Sequence, residues 1–413
     1  MKKNNAIMIM GFVVGCIWYA CGDVTPVNQV GVGARAYSFA NNYVAAANDM
    51  SSIFWNPAAL SFLPVREFQV SVDMLSNTGN TDFLGAKEIS DIQRLRLANI
   101  GFLSAVPTSR GGLTFAAAFQ SPYIFDDNPS FNGSYIDTNN QSIQLHENYR
   151  AYGNLNFWSG AFGLQVAPGL GIGASLSLVT GSEKINNVFL KETNGIVVDS
   201  YYDNYMYDVE RSYVGYDLRL GLLYLLTEKV RLGARLVLPQ TIWFTEDPPI
   251  DEGFSQGRLF SSYSGAVGIS TVLPMATLSS EFRFRAPYDY VDPEDVIPSS
   301  SPAHYSRVGA GLGAEIPLFI KNALVRLGYS WDQFDTHPFA IKYDNDTSQA
   351  EWGTDSVTAN QDRHLLTAGL AYVSSGFSIE ASYGYQFWKL NTKGTLNEDN
   401  HCQRFLVSWS TRF

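Results

Sequence analysis

The side chains able to carry chemistry are few and scattered. The five histidines, His146, His304, His337, His364 and His401, show no metal-ligand spacing. Three cysteines are present, Cys16, Cys21 and Cys402, and only Cys402 remains if the leader described below is removed. Neither a zinc site nor a disulfide framework can be built from that mature chain. His304-Tyr305-Ser306, at a strand start, is the one fragment with a nucleophile near a His, and a triad is recognised by geometry rather than by adjacency. Gly309-Ala310-Gly311-Leu312-Gly313 has the outline of a phosphate loop. It lies inside a strand rather than ahead of a helix, so its glycines read as a close-packed wall. No catalytic residue, metal or cofactor is expected, and the chain does not read as an enzyme.

What the chain carries instead is strands. Its 413 residues are 46% hydrophobic and only 16% charged. Soluble cores usually split beyond about 250–300 residues, yet no Pro/Ser-rich linker divides this chain. Met1-Lys2-Lys3 is a basic start, and Ala6 to Ala20 is an unbroken apolar run. That run is short of the ~20 residues needed to span a bilayer but suits a secretory leader. Small residues before Gly22 place cleavage after it, giving a signal peptide over 1–22. Lipid attachment at Cys16 or Cys21 is the alternative reading. No other apolar segment is long enough for a membrane helix.

From Arg66 onward the alternation can be followed strand by strand. Val214, Tyr216, Leu218, Leu220, Leu222, Tyr224 and Leu226 share one parity, with Gly215, Asp217, Arg219 and Gly221 between them. Leu170 to Leu178 alternates as cleanly with Gly171, Gly173, Ser175 and Ser177. In Ala276 to Tyr288 one parity holds Leu278, Phe282 and Phe284, the other Ser279, Glu281, Arg283 and Arg285. Successive strand residues face opposite sides, so one face is apolar and the other carries charge. Strands in soluble sandwiches average about 5–6 residues. Runs of ten or more are what a tilted strand needs to cross a bilayer. The first strand, Arg66 to Leu75, is short, and in Asp362 to Val373 both parities are partly apolar.

The breaks between strands alternate in length. Tight turns are expected near Pro107–Gly111, Ala167–Gly169, Thr227–Lys229, Leu273–Met275, Ile316–Asn322 and Ser374–Gly376. Long polar breaks are expected at Ser76–Gln93, Ser121–Arg150, Ser182–Arg211, Glu246–Gly257, Asp289–Ala303, Asp335–Gln361 and Asn391–Cys402. This is the pattern of short periplasmic turns and long outer loops in an all-β, transmembrane antiparallel β-barrel of about fourteen strands. Tyr288 and Tyr290, Tyr329 and Trp331, and Tyr385, Phe387 and Trp388 are placed to form interfacial girdles. The last strand, ending on Phe413, resembles the C-terminal signature by which barrel assembly machinery recognises its substrates.

A barrel of this size is wide enough for an aqueous channel unless something fills it. Its charged face carries Arg219, Arg231, Arg235, Glu281, Arg283, Arg285 and Arg326, which would pair with one another or with a filling segment. The net charge of −11 argues against a nucleic-acid partner, which calls for a basic face. Acidic residues cluster in expected loops: Asp203, Asp208 and Glu210; Glu246, Asp247, Asp251 and Glu252; Asp289, Asp292, Glu294 and Asp295. They read as solvated loop tips, with divalent-cation contact to lipopolysaccharide as the alternative.

One stretch breaks the strand pattern. Gly31 to Leu60 has no period of two or of 3.6. Its Gly-x-Gly-x-Arg-Ala run at Gly31–Ala36, its Ala-rich Tyr43–Asp49 and its Phe54-Trp55-Asn56-Pro57-Ala58-Ala59-Leu60 resemble the N-terminal hatch of the FadL/OmpP1/TodX family. These are outer-membrane barrels that carry fatty acids and other hydrophobic molecules. The resemblance implies a hatch over 23–64 inside a barrel over 65–413, with Asn56, Pro57, Ala58 and Arg35 gating. Phe39, Tyr43, Phe54, Trp55 and Phe62 would offer apolar surface to a hydrophobic ligand, and a luminal Arg would pair with a carboxylate head group. It further implies passive transport with lateral exit into the bilayer by a monomer in the outer membrane of a Gram-negative cell. Secretion-associated barrels of the PorV type share a similar opening, so capture of secreted proteins is an alternative. A general porin is another.

Overall fold

The computed structural model describes residues 28–83, 85–128, 130–136, 140–197, 204–247, 256–261, 263–285, 288–291, 307–334, 340–344, 349–353, 361–392 and 396–413. The expected leader, His304-Tyr305-Ser306, His337 and the acidic residues Asp203, Asp251, Glu252, Asp292, Glu294 and Asp295 fall outside them. No helix among the described residues is long and apolar enough to cross a membrane.

The chain opens with β1 (Asn28–Gln29), the short helices α1 (Ala34–Ser38) and α2 (Ser52–Trp55), and a 3-10 turn at Pro57–Phe62. Strands follow: β2 (Arg66–Phe83), β3 (Ala86–Val106), β4 (Leu113–Ile124), β5 (Ser130–Ile136), β6 (Ser142–Ala167), β7 (Leu170–Thr193), β8 (Ile196–Val197) and β9 (Asn204–Leu225). Next come β10 (Val230–Val237), β11 (Gln240–Asp247), β12 (Gln256–Ser261), β13 (Ser264–Val272), β14 (Thr277–Arg285) and β15 (Tyr288–Val291). The chain ends with β16 (Arg307–Pro317), β17 (Ala323–Phe334), β18 (Ala340–Asp344), β19 (Gln349–Gly353), β20 (Gln361–Val373), β21 (Phe377–Thr392) and β22 (Leu396–Arg412).

Each wall strand pairs antiparallel with the next, and β22 returns to β2 from Glu67↔Arg412 to Phe83↔Leu396. β10 with β11, β12 with β13, and β14 with β15 are each one interrupted stave. Fourteen staves among the described residues thus close into one barrel. Closure removes the unpaired edges that a sheet of this length would otherwise present.

Burial is inverted relative to a soluble protein, which explains why the chain is so apolar. Val214, Tyr216 and Leu220 are 41–50% exposed, whereas Asp217 and Arg219 between them are at most 2% exposed. The same holds for exposed Leu278 and Phe282 against buried Ser279, Glu281 and Arg283. An apolar outer face around a polar interior suits a lipid solvent.

All six expected tight turns lie between consecutive strands. The long breaks need correcting. Ser76–Gln93, expected as a loop, is the paired arms of β2 and β3, from Ser76↔Gln93 to Phe83↔Ala86. Strand pairing also runs through much of Ser121–Arg150, Ser182–Arg211 and Asn391–Cys402. The physical reason is visible on β6. Its outward row is polar from Gln144 to Asn156 and apolar from Trp158 to Leu164. Its 26 residues extend for ~86 Å, or roughly 60 Å when tilted, about twice the bilayer core. Where the outward row turns polar the inward row stays buried, with Ile143 and Leu145 packed among Phe83, Phe131 and Phe189, so the apolar face changes sides while the ladder continues. Glu246, expected on a solvated tip, is buried on β11, with Oε1 2.7 Å from Arg211 Nε. Trp388, expected in a girdle, is turned inward and buried, with the Arg363 guanidinium 4.4 Å over its ring.

Candidate functional site

Between Val30 and Ser61 every residue except Arg35, Asn41 and Asn48 is buried. That explains the missing periodicity, because a segment covered on all sides has no solvent face to mark. Its partners come from staves all round the ring. The Ser408 hydroxyl on β22 accepts from Ala34 N at 2.8 Å, and Thr367 Oγ1 on β20 donates to Ser38 O at 3.0 Å. Asn42 Nδ2 donates to Tyr329 O on β17 at 3.0 Å, and Ser279 Oγ on β14 donates to Asn42 O at 2.9 Å. On β4, Thr114 Oγ1 donates to Leu63 O at 3.2 Å.

The close-packed reading of Gly311 and Gly313 has a geometric cause. A Cβ at Gly311 would lie 2.2 Å from Asn42 Oδ1, and one at Gly313 would lie 2.3 Å from the Phe39 ring. Only glycine lets the segment approach β16 this closely.

Asn56 is the most heavily used of the expected gating residues. Its Nδ2 donates to Val44 O (2.7 Å) within the segment and to Leu222 O (3.1 Å) on β9, while Oδ1 accepts from Ala58 N (3.1 Å). Pro57 opens the 3-10 turn, where its missing N–H costs nothing, and Ala58 is fully buried. Arg35 lies apart from these. Its Nη2 is 2.9 Å from Glu315 Oε2, Glu315 also pairs with Arg326 at 2.7 Å, and Arg326 pairs with Glu380 at 2.6 Å.

The aromatic candidates share one buried cluster. Phe54 and Trp55 meet edge to face at 5.0 Å, and Phe54 also packs on Tyr123 and Phe157. Phe62 packs against this cluster from a less buried position. Phe39 and Tyr43 belong to the same cluster, their ring centroids 6.0 Å apart, and the Tyr43 hydroxyl lies 2.8 Å from Asn48 Oδ1. Phe39, Tyr43, Phe54 and Trp55 are each at most 2% exposed.

The luminal charges tie this segment to the wall. Arg219 pairs with Asp217 at 2.7 Å, donates to Phe54 O at 3.1 Å and stacks 3.8 Å over the Phe54 ring, a cation–π contact inside a desolvated site. Glu281 Oε2 accepts from Val44 N at 2.8 Å. Arg283 grips Asp332 with two nitrogens, at 2.5 and 2.8 Å, and donates its third to Asn42 Oδ1 at 3.0 Å. Arg231 and Arg285 are half-buried, with no carboxylate partner among the described residues.

A cleft opens beside Trp55, lined by Arg235, Arg283, Arg285, Asp332 and Arg363 among others. Among the described residues four guanidiniums thus line it with one carboxylate. Arg235 lies 5.6 Å over Trp55, and its buried Nε has no hydrogen-bond partner among the described residues. The Trp55 ring beside Arg235 and Arg285 gives the cleft one aromatic edge and donors suited to an anion.

Several anchoring residues escaped the sequence reading: Asn42, Asp73, Arg96 and Arg404. Arg404 donates to Gly31 O at 3.2 Å and also to Val30 O, and it shares Asp73 with Arg96. The signal available was the parity of β2 and β22, which turns Asp73 and Arg404 to the polar face.

Asp49 is a further buried acid of the segment. Ser51 supplies both donors to Oδ1, at 2.6 and 3.0 Å, and Oδ2 has no partner. Burial raises its carboxyl above the ordinary value. A raised carboxyl favours the folded state at low pH, and that contribution is lost as pH rises through the folded pKa. The unfolding temperature of the detergent-solubilised barrel is therefore expected to fall over that window, less so in Asp49→Asn. Equal pH slopes in the two proteins would contradict this.

No family model matches the chain, and no curated protein sequence does. Solved structures do. A Pseudomonas aeruginosa FadL homologue is 13% identical, covering 95% of this chain and 99% of its own, with a TM-score of 0.56. The Pseudomonas putida toluene transporter TodX is 14% identical, covering 94% and 99%, at 0.58. The Ralstonia pickettii toluene transporter TbuX is 15% identical, covering 94% and 99%, at 0.55. The chain has the fold of these barrels over nearly its whole length.

Proposed function

We propose that this protein is an outer-membrane barrel giving passive passage to hydrophobic compounds, with residues up to about 64 as a plug inside the lumen. The observation that carries the reading is how the segment meets a break in the wall. The β3–β4 ladder runs from Val106↔Leu113 and stops at Asn99↔Gln120. Beyond it β4 shifts register and pairs with β1, and the Pro122 carbonyl accepts from Val30 N (2.9 Å) and Gly31 N (3.1 Å). Pro122 offers no N–H to the ladder, so a wall strand turns away from its neighbour where the segment takes hold of it. A compound entering from outside would pass the cleft, displace part of the segment and leave sideways through this break into the bilayer.

The neighbours include a FadL homologue and toluene transporters, and the cleft favours the acid side of that range. A carboxylate head group suits Arg235 and Arg285 beside the Trp55 ring, and this chemistry is why long-chain fatty acids are the ligand proposed. Cells whose only route is this barrel are expected to take up labelled oleate, and Arg235→Gln with Arg285→Gln to lower that uptake about tenfold while sparing toluene. Uptake of neither compound would sink the passage reading. Equal loss of both in the variant would sink the role of the arginines.

A further inference from the structure

Beyond the last β3–β4 pair, the outer arm of β3 from Ala86 to Ala98 keeps only β2 as a ladder partner. Across from it, the chain after Gln120 stays attached to β6: Tyr123↔Leu155 and Ile124↔Asn154 pair, and Phe125 N donates to Gly153 O at 3.1 Å. Among the described residues a seam without backbone-to-backbone hydrogen bonds therefore runs between β3 and the β4–β6 side. One long side chain crosses it. Arg94 reaches from β3 to the Asp126 carboxylate, and also donates to Gly153 O at 3.0 Å and Asn154 Oδ1 at 3.1 Å. The Tyr152 ring covers the guanidinium at 5.9 Å. Asp126 is 2% exposed, so the pair is largely desolvated on the acid's side.

Closer to the ladder's end the seam holds no comparable tie. Gln120 and Ser121 are buried there with side-chain polar atoms lacking any partner among the described residues, while Leu95 and Leu97 face outward beside them. Further out, Ser90 Oγ donates to Asn128 O at 2.5 Å. Arg94 thus supplies the only ion pair across the seam among the described residues, and its remaining donors reach Gly153 and Asn154 on β6.

We propose that Arg94 is a latch: its pairing with Asp126 holds the β3–β4 seam shut, and its release opens the lateral path. The inference rests on the passage reading for its purpose but not for its geometry. A thiol at Gln120, behind the seam, tests it in the full-length barrel in lipid vesicles. The probe is a hexadecyl maleimide, confined to the bilayer, with the protein lacking Gln120→Cys as the blank for buried Cys402. Adding Arg94→Ala or Asp126→Asn to Gln120→Cys is expected to speed labelling about tenfold, as loss of ~1.4 kcal/mol of closure would. The charge-reversed pair Arg94→Asp with Asp126→Arg should slow it again. Heat-shifted migration on gels separates folded variants from failed ones. Unchanged labelling in folded Arg94→Ala and Asp126→Asn overturns the latch. Faster labelling with no oleate uptake by any variant leaves the latch standing and removes the passage reading.

Discussion

Asp73→Ala is expected to destabilise the barrel by about 3–5 kcal/mol, the cost of removing one member of a buried charge cluster. Asp73 is 1% exposed and sits between two guanidiniums, with Arg96 Nη2 at 2.6 Å and Arg404 Nε at 2.7 Å. Without it, two positive charges remain buried and facing one another. Arg404 would turn from an anchor of Val30 and Gly31 into a source of repulsion. The urea midpoint of barrels in lipid vesicles, followed by tryptophan fluorescence, reads this directly. A loss below about 1 kcal/mol would mean that water reaches the cluster and screens it. Asp73→Asn keeps acceptors for one guanidinium and should fall between the two.

The second large effect is at Asn56. Asn56→Ala removes donors from Val44 O and Leu222 O and the acceptor of Ala58 N, the first and last buried and the second half-buried. Each group left unsatisfied costs about 1–3 kcal/mol, enough together to free the 3-10 turn from β9. The expected result is ion conductance in planar bilayers from Asn56→Ala, against a silent parent protein. Gly221→Val should act alike from the wall side, because a Cβ there would lie 2.3 Å from Asn56 Oδ1. A silent Asn56→Ala barrel would show that the remaining contacts hold the segment without this side chain.

The wall was legible within the lipid and illegible outside it. Val214 to Leu226 and Ala276 to Tyr288 announce both strand and facing, because a bilayer on one side and charge on the other write a period of two into the residues. The arms Ser76–Phe83 and Ala86–Gln93 are as well paired, but on β2 the buried row (Asn77, Gly79, Thr81) is as polar or small as the outward row (Ser76, Thr78, Asn80, Asp82), and they read as loop. The segment from Val30 to Ser61 could be singled out only by a resemblance and by its lack of period. Asn56 was found through its motif, whereas Asn42 was missed. Asn42 makes comparable contacts to β14, β16 and β17, but an isolated Asn beside an Ala-rich run carries no local signal. Arg94 was missed for another reason. Its importance arises from a ladder that stops early, and where two strands part company is a property of register that neither strand encodes alone.

The ladder between β2 and β22 carries a consequence for how the molecule is made. Glu67 and Arg412 stand opposite one another although 345 positions apart in sequence. Ala34 reaches Ser408 over 374. Contacts of such separation repay their loop-closure entropy only once the intervening hairpins exist. The seam between first and last strands is therefore the last to zip during biogenesis. The buried N-terminal residues must already be tucked in when it does, since Arg404 on the closing strand clasps Val30 and Gly31. Assembly of this barrel is the shutting of a lid on its own contents, and a chain whose residues 30–61 arrive late would be left with them outside.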